Sequence, residues 1–228
     1  EAKRRGIAVV NSPEAPSNAV AELVLGLMFS LARRIPEADA GMKRGEWLKR
    51  QFTGFELEGK TLGVIGFGRI GYLVSKKARA LGMRVLTYDV VIERLMDRVE
   101  EAGAEAVPME ELLSSSDFVT IHVPLLPQTR HMIGRREIEA MKRGAYLINA
   151  ARGAIVDEEA LREALTDGRL GGAALDVFEE EPPRDASLTG LRNVVATPHI
   201  GSATVEAQRA NSTIVVEKLI GVLTRGEG

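Results

Sequence analysis

At 228 residues and 45% apolar content the chain can bury a substantial core, as one large or two small domains, and charged residues interrupt every apolar run before it reaches membrane-spanning length. Its 30 Lys and Arg nearly balance 32 Asp and Glu, a formal charge of −2 with no sustained basic stretch, which argues against nucleic acid or a membrane as partner and leaves a small molecule. The lack of cysteine excludes disulfides, thiolate zinc sites and thiol catalysis, and fits a cytoplasmic protein.

The opening EAKRRGIAVVN carries no methionine and enters an apolar run within 7 residues, as if an upstream portion had been removed, so the chain is expected to be a fragment. Residues 17–35 place Val20, Leu23, Val24, Leu27, Met28 and Leu31 at helical spacing behind a Ser-Asn cap. Leu25 and Phe29 lie outside that stripe, so apolar side chains cover most of the circumference, and a contact beyond the helix's own domain, from a dimer or from a missing domain, is expected to bury it. A more polar helix over 36–46 and a loop holding Trp47, Lys49 and Arg50 follow. From residue 60 short apolar runs alternate with amphipathic segments. Strands are predicted at 61–66, 83–89, a short 104–107, 118–123, 145–150, 171–177 and 193–197. Helices fit at 69–81, 93–102, 108–114, 135–142 and 157–167, with a last one over about 203–224. Near-continuous apolar strands belong to a sheet covered on both faces, so the pattern predicts an α/β domain: a doubly wound parallel sheet of about seven strands.

LGVIGFGRIG, residues 62–71, is a strand that ends in Gly66-x-Gly68-x-x-Gly71 and opens a helix. In a Rossmann-type dinucleotide site the first glycine permits a tight turn and the second lets backbone approach a pyrophosphate. The third lets helix pack closely on strand, and the helix N-terminus favours the anion. The next strand ends at Asp89, 18 residues past Gly71, where a carboxylate accepts hydrogen bonds from ribose hydroxyls. That acid repels a 2′-phosphate, and Val90 and Val91 rather than arginine follow it, so NAD is expected rather than NADP. The competing reading is a glycine turn kept for packing, with Asp89 a solvated strand end.

Ligands of a doubly wound sheet lie beyond the carboxyl ends of its strands. Arg152 follows a strand there, and its guanidinium suits the carboxylate of an organic acid; the alternative is an arginine on a helix-capping turn paired to Asp157. His199 lies past the last strand and Glu181 past the one before, so both converge on the cleft. A carboxylate bonded to an imidazole stabilises the imidazolium, which suits the group that takes a hydroxyl proton while hydride leaves for a nicotinamide. His122, in a strand ahead of Pro124, reads as structural, and His131 as part of a polar loop. Three scattered histidines without a His-x-x-x-His pair offer no zinc site.

Taken together, GFGRIG, Asp89, HVPLLPQT, NAARGAIVDEEAL, ALDVFEEEPP and TPHIGSAT make the chain resemble the D-isomer-specific 2-hydroxyacid dehydrogenases over essentially its whole length. LEGKTLGVIGFGRIG and GSATVEAQ look most like the D-3-phosphoglycerate dehydrogenase branch. The resemblance implies NAD held by Arg69 and Ile70 of the glycine loop, Asp89, the Val123-Pro124 turn, Ala150-Ala151-Arg152, Asp176 at the nicotinamide, and His199 through Gly201 to Ser202. It implies catalysis by Arg152 as substrate anchor, Glu181 as partner of the histidine and His199 as acid/base, on a phosphorylated 2-hydroxy acid, 3-phosphoglycerate, in the first step of serine synthesis. It further implies a flavodoxin-like substrate domain upstream, with residues 1–13 its remnant and 14–228 the NAD-binding domain, a last helix returning towards it, and a homodimer formed through helix 18–34. Lys49 and Arg50 either reach a substrate phosphate across that dimer or belong to a solvated loop. Glyoxylate or hydroxypyruvate, D-lactate and formate remain as other substrates. From a different class, corepressors of similar fold bind NAD to control assembly.

Overall fold

The computed structural model describes residues 2–12 and 16–225, so the expected boundary between residues 13 and 14 lies outside the described residues. Seven strands form one sheet: β1 (Thr61–Ile65), β2 (Arg84–Tyr88), β3 (Glu105–Ala106), β4 (Phe118–Ile121), β5 (Tyr146–Asn149), β6 (Gly172–Leu175) and β7 (Val194–Ala196). Their order is β3-β2-β1-β4-β5-β6-β7, and every pair is parallel. Strand order reverses between β1 and β4, which opens a crevice at their carboxyl ends.

Eight α-helices accompany the sheet among the described residues: α1 (Ser17–Arg33), α2 (Ile35–Lys43), α3 (Arg69–Ala80), α4 (Met96–Glu101), α5 (Met109–Ser115), α6 (Arg135–Ala140), α7 (Glu158–Thr166) and α8 (Val205–Arg225). Alternate strand residues feed two cores. Leu62, Val64, Phe118, Ile148 and Ala174 pack with α1, α3 and α4 on one face. Ile65, Val119, Ile121, Leu147 and Leu175 pack with α5, α6 and α7 on the other. Both faces are therefore dry, which is why these strands read as continuous apolar runs.

The strands are shorter than expected at their carboxyl ends. There the chain makes one further bond to its neighbour before turning away: Gly66 N–H to Tyr88 (2.8 Å), His122 N–H to Ile65 (2.7 Å) and Asp176 N–H to Asn149 (2.9 Å). These residues begin the loops that build the site.

Four expectations about the helices need correction. The Ser-Asn pair does not cap α1; Pro16 occupies the cap position, and the Asn18 amide donates instead to Glu22 one turn on, at 2.9 Å. Nor does α1 need a partner to bury its main stripe, because Val24, Leu27, Met28 and Leu31 pack on α3 and the sheet of the same domain, leaving Phe29 38% exposed. α1 also ends before residue 35: Arg34 turns left-handed (φ 50°), and Pro36 stands in the first turn of α2, where its missing N–H costs nothing. The expected helix at 93–102 begins as a 3-10 turn, Ile92–Leu95, before α4. α8 lies along the N-terminal segment, where Lys218 Nζ donates to the Asn11 carbonyl at 2.7 Å and Ser12 to Asn211.

Candidate active site

The glycine loop joins β1 to α3 at the switch point. Gly66 adopts φ +93°, and a Cβ there would lie 2.7 Å from the His122 carbonyl oxygen. At Gly71 a Cβ would come within 2.1 Å of the Gly66 oxygen, so helix and loop touch through bare backbone. Gly68 differs. It caps α3 in an ordinary extended conformation, and a Cβ would meet nothing within 4 Å. Packing thus explains two of the glycines and not the third, whereas a pyrophosphate laid against the N-terminus of a 12-residue helix explains it.

Asp89 follows β2 and turns its carboxylate back into this loop. Oδ2 accepts from Phe67 N–H at 2.8 Å and Oδ1 from Val91 N–H at 3.0 Å. It is therefore not a loose strand end; each oxygen also keeps lone-pair capacity for a ribose hydroxyl. The residues present fit a dinucleotide: an open glycine at a helix N-terminus, with a fixed acid beside it.

The second half of the site lies past β5, β6 and β7. Asn149, 1% exposed, ends β5, donates to the Arg152 carbonyl at 2.9 Å and accepts from Ala151 N–H at 3.1 Å, so its whole amide shapes the Ala150-Ala151-Arg152 bend. Arg152 opens a 3-10 turn and is exposed. It is not paired to Asp157, which instead caps α7 by accepting from Ala160 N–H at 3.0 Å.

Asp176, 1% exposed, follows β6 and accepts from Thr197 Oγ1 (2.6 Å), Ile200 N–H (2.8 Å) and Gly201 N–H (2.8 Å). These bonds fold the loop after β7 into a tight bend whose apex is His199, held in the left-handed region at φ 53°. That is a strained state for a residue with a side chain, sustained by the buried carboxylate beneath it. The bend brings His199 Nδ1 to 2.7 Å from Glu181 Oε2. The second Glu181 oxygen accepts from Phe178 N–H at 3.2 Å. The His199 hydrogen bond, more than any other influence, holds the Glu181 carboxyl below its ordinary range; burial opposes this, and Arg152 adds a smaller pull in the same direction.

A cleft of about 490 Å³ opens beside the pair, lined by Phe178, Pro182, Pro183, Thr197 and Pro198 among others. A slightly larger one, about 520 Å³, lies at the opposite edge of the sheet between Arg34, Phe55, Tyr146 and Val194, and none of the candidate site residues lines it.

The carboxyl edge of the sheet also collects Val123 and Pro124 just past β4, Arg69 and Ile70 at the start of α3, and Ser202 beyond His199. Lys49 and Arg50 are not brought there. They sit in a short exposed turn whose next residue, Gln51, offers its carbonyl to Arg34, and Phe55 packs at a tilt against Phe118 and Tyr146 at the amino ends of β4 and β5. His122 is neutral: burial pushes it down to about 3, Nε2 lies 3.0 Å from Thr120 Oγ1, and Nδ1 is enclosed without a partner. His131 is not a bystander, because its Nε2 lies 2.8 Å from Glu179.

Residues 25–201 match the family model of the D-isomer specific 2-hydroxyacid dehydrogenase NAD binding domain. The chain belongs to the D-isomer-specific 2-hydroxyacid dehydrogenases. It is 54% identical over 227 residues to a D-3-phosphoglycerate dehydrogenase of Methanocaldococcus jannaschii, a match spanning 99% of this chain and 43% of that protein. It is 47% identical over 234 residues to a glyoxylate reductase of Thermococcus litoralis, spanning 100% of this chain and 70% of the relative. Among solved structures, the D-lactate dehydrogenase of Aquifex aeolicus complexed with NAD and lactic acid superimposes with a TM-score of 0.86 at 34% identity, over 99% of this chain and 72% of that one. NAD is thus the family's cofactor, and this chain carries the domain that binds it. Sequence reasoning missed Asn149 and Thr197 as builders of the site. Asn149 carried a signal, a lone amide closing the apolar strand YLIN; Thr197 carried none, since its partner lies 21 residues away.

Proposed function

We propose that the protein carrying this chain is a cytoplasmic D-3-phosphoglycerate dehydrogenase that oxidises its substrate to 3-phosphohydroxypyruvate, the first step of serine synthesis. The observation that carries the reading is the 2.7 Å pair of His199 Nδ1 and Glu181, set at the strand edge where the phosphate loop and Arg152 also lie. NAD, held by the glycine loop and Asp89, would supply the hydride acceptor at this edge. His199, its Nδ1–H given to Glu181, has Nε2 left to accept the hydroxyl proton, and the Glu181 carboxylate stabilises the imidazolium that forms. Arg152, exposed beside them, grips the substrate carboxylate with a two-pronged hydrogen bond.

The 54% identity to the Methanocaldococcus jannaschii enzyme favours the phosphorylated substrate; the 47% identity to a glyoxylate reductase supports a second reading, reduction of a small 2-oxo acid. Turnover of 3-phosphoglycerate, glyoxylate and hydroxypyruvate by the full-length protein separates them, and a kcat/KM for glyoxylate above that for 3-phosphoglycerate sinks the first. His199→Ala lowers kcat by about a hundredfold or more and leaves NADH affinity in place; equal losses in both would reassign His199 to binding. Exposed Phe29 (38%), Met42 (55%) and Trp47 (78%) on α1, α2 and the following loop support the homodimer, which light scattering showing only monomer refutes.

A further inference from the structure

The loop after β6 carries three consecutive glutamates, and each has a different partner. Glu181 meets His199, Glu180 pairs with Arg184, and Glu179 accepts from His131 Nε2 at 2.8 Å, with the Arg130 guanidinium 3.8 Å away. Two histidines from two different loops therefore grip one short segment, at positions two residues apart. We propose that His131, seconded by Arg130, is a positioning residue for proton transfer: by holding Glu179 it fixes the loop that presents Glu181 to His199. The inference rests on the catalytic reading of His199 and Glu181.

His131 is held as a fixed donor rather than a free surface side chain. Its backbone is left-handed (φ 50°), and its N–H donates to Ala154 at 2.8 Å. Two residues on, Ile133 N–H donates to Ile155 at 3.1 Å and the Ile133 carbonyl accepts from Asp157 N–H at 3.0 Å, so the loop after β4 is sewn to the loop after β5. That loop is in turn pressed on the loop after β6, since a Cβ on Gly153 would fall 1.8 Å from the Phe178 carbonyl carbon. The imidazole crosses this interlock from outside and closes it.

Glu179 needs such a donor. Its own N–H donates to Glu158 Oε1 at 2.7 Å, which brings two carboxylates together. The Glu158 carboxyl is pushed above its ordinary range, by burial first and then by the charge of Glu179. With the imidazole gone, the more distant and more exposed Arg130 is the cation left beside Glu179 among the described residues. Glu179 then has reason to swing outward, and Glu181 shares its short segment.

The test uses the full-length protein and reads kcat, KM for both substrates, the NADH dissociation constant and the melting temperature. His131→Leu removes the donor; His131→Gln restores one, because the amide nitrogen of Gln falls where Nε2 of His lies. The expected result is a kcat about tenfold lower for Leu, with the NADH dissociation constant and melting temperature unchanged, and recovery to within about twofold for Gln. If Leu does not fold, Glu179→Ala replaces it with the same expectation. Parental kcat in His131→Leu overturns the proposal, as does a joint fall of kcat, NADH affinity and melting temperature that Gln fails to rescue. His199→Ala in parallel separates the two readings: full turnover there removes the catalytic assignment itself, whereas lost turnover there with none lost in His131→Leu removes only the role of His131.

Discussion

Alanine placed in turn at the three glycines of the phosphate loop separates a glycine kept for the protein from one kept for its ligand. At Gly71 the new methyl would sit 2.1 Å from the Gly66 oxygen, so helix α3 must move off β1 by more than an ångström, at a cost of about 3 kcal/mol or more. In a chain of this size that lowers the melting temperature by about 6–12 °C. Gly66→Ala combines a left-handed backbone, worth about 1–2 kcal/mol against any side chain, with a 2.7 Å approach to the His122 carbonyl, and falls in the same range. Gly68→Ala meets no atom within 4 Å. Its backbone is already one that alanine adopts; a modest loss of capping and a reduction in unfolded-state entropy offset each other, so stability changes by about 1 kcal/mol or less. Cofactor binding should reverse the ranking, because that methyl projects into the space assigned to the pyrophosphate: NADH affinity falls about tenfold or more, ~1.4 kcal/mol. Thermal melts without cofactor and calorimetric titration with NADH measure the two columns. Gly68→Ala that binds NADH like the parent, or that melts as low as Gly71→Ala, refutes the assignment.

Burial of His122 ties stability to acid. Its folded pKa lies at about 3 against an ordinary 6.5, so below 6.5 the unfolded chain takes a proton that the native chain refuses; the contribution is complete above pH 6.5 and is lost as pH falls towards 3. The residue keeps a partly exposed edge, so by about pH 4 the loss is about 2 kcal/mol rather than the full value of the gap. Urea unfolding of the parent and His122→Asn at neutral pH and at about pH 4 checks this, and an equal difference between the two proteins at both pH values contradicts it. Asn149→Asp turns the donor facing the Arg152 carbonyl into an acceptor in a position 1% exposed; stability should fall by about 2–4 kcal/mol, and both KM for the hydroxy acid and the NADH dissociation constant should rise, because the bend it shapes serves both ligands. Asp89→Ala should weaken NADH binding and also destabilise the apo chain by about 1–3 kcal/mol, since the amide of fully buried Phe67 loses its acceptor. Lost binding without a change in melting temperature would show that water replaces that bond.

What the sequence made legible was whatever depends on backbone and spacing. The seven strands stand out because both sheet faces are covered, and the glycine loop because turn, approach and packing each exclude a side chain at a fixed offset. The break at Arg34 was readable to within about two residues, since the apolar stripe stops at Leu31 and Pro36 forbids a continuous helix hydrogen bond, which separates the segments 17–35 and 36–46. Side chains whose partners lie in another loop were harder. His199 and Glu181 could be matched because both follow strands at one edge, whereas His131 and Glu179, 48 positions apart with no motif between them, looked like a polar loop and an acidic run. Asp176 marks where such reading stops. Its place after β6 puts it at the carboxyl edge of the sheet, and three hydrogen bonds at 2.6–2.8 Å show that its oxygens are already committed to the loop that bends His199 outward. The nicotinamide contact that the family resemblance implies would come on top of that duty, using the lone-pair capacity that remains. Replacing Asp176 should therefore displace the histidine as well as the cofactor, and losses in both kcat and NADH affinity are expected from a residue that performs no proton transfer.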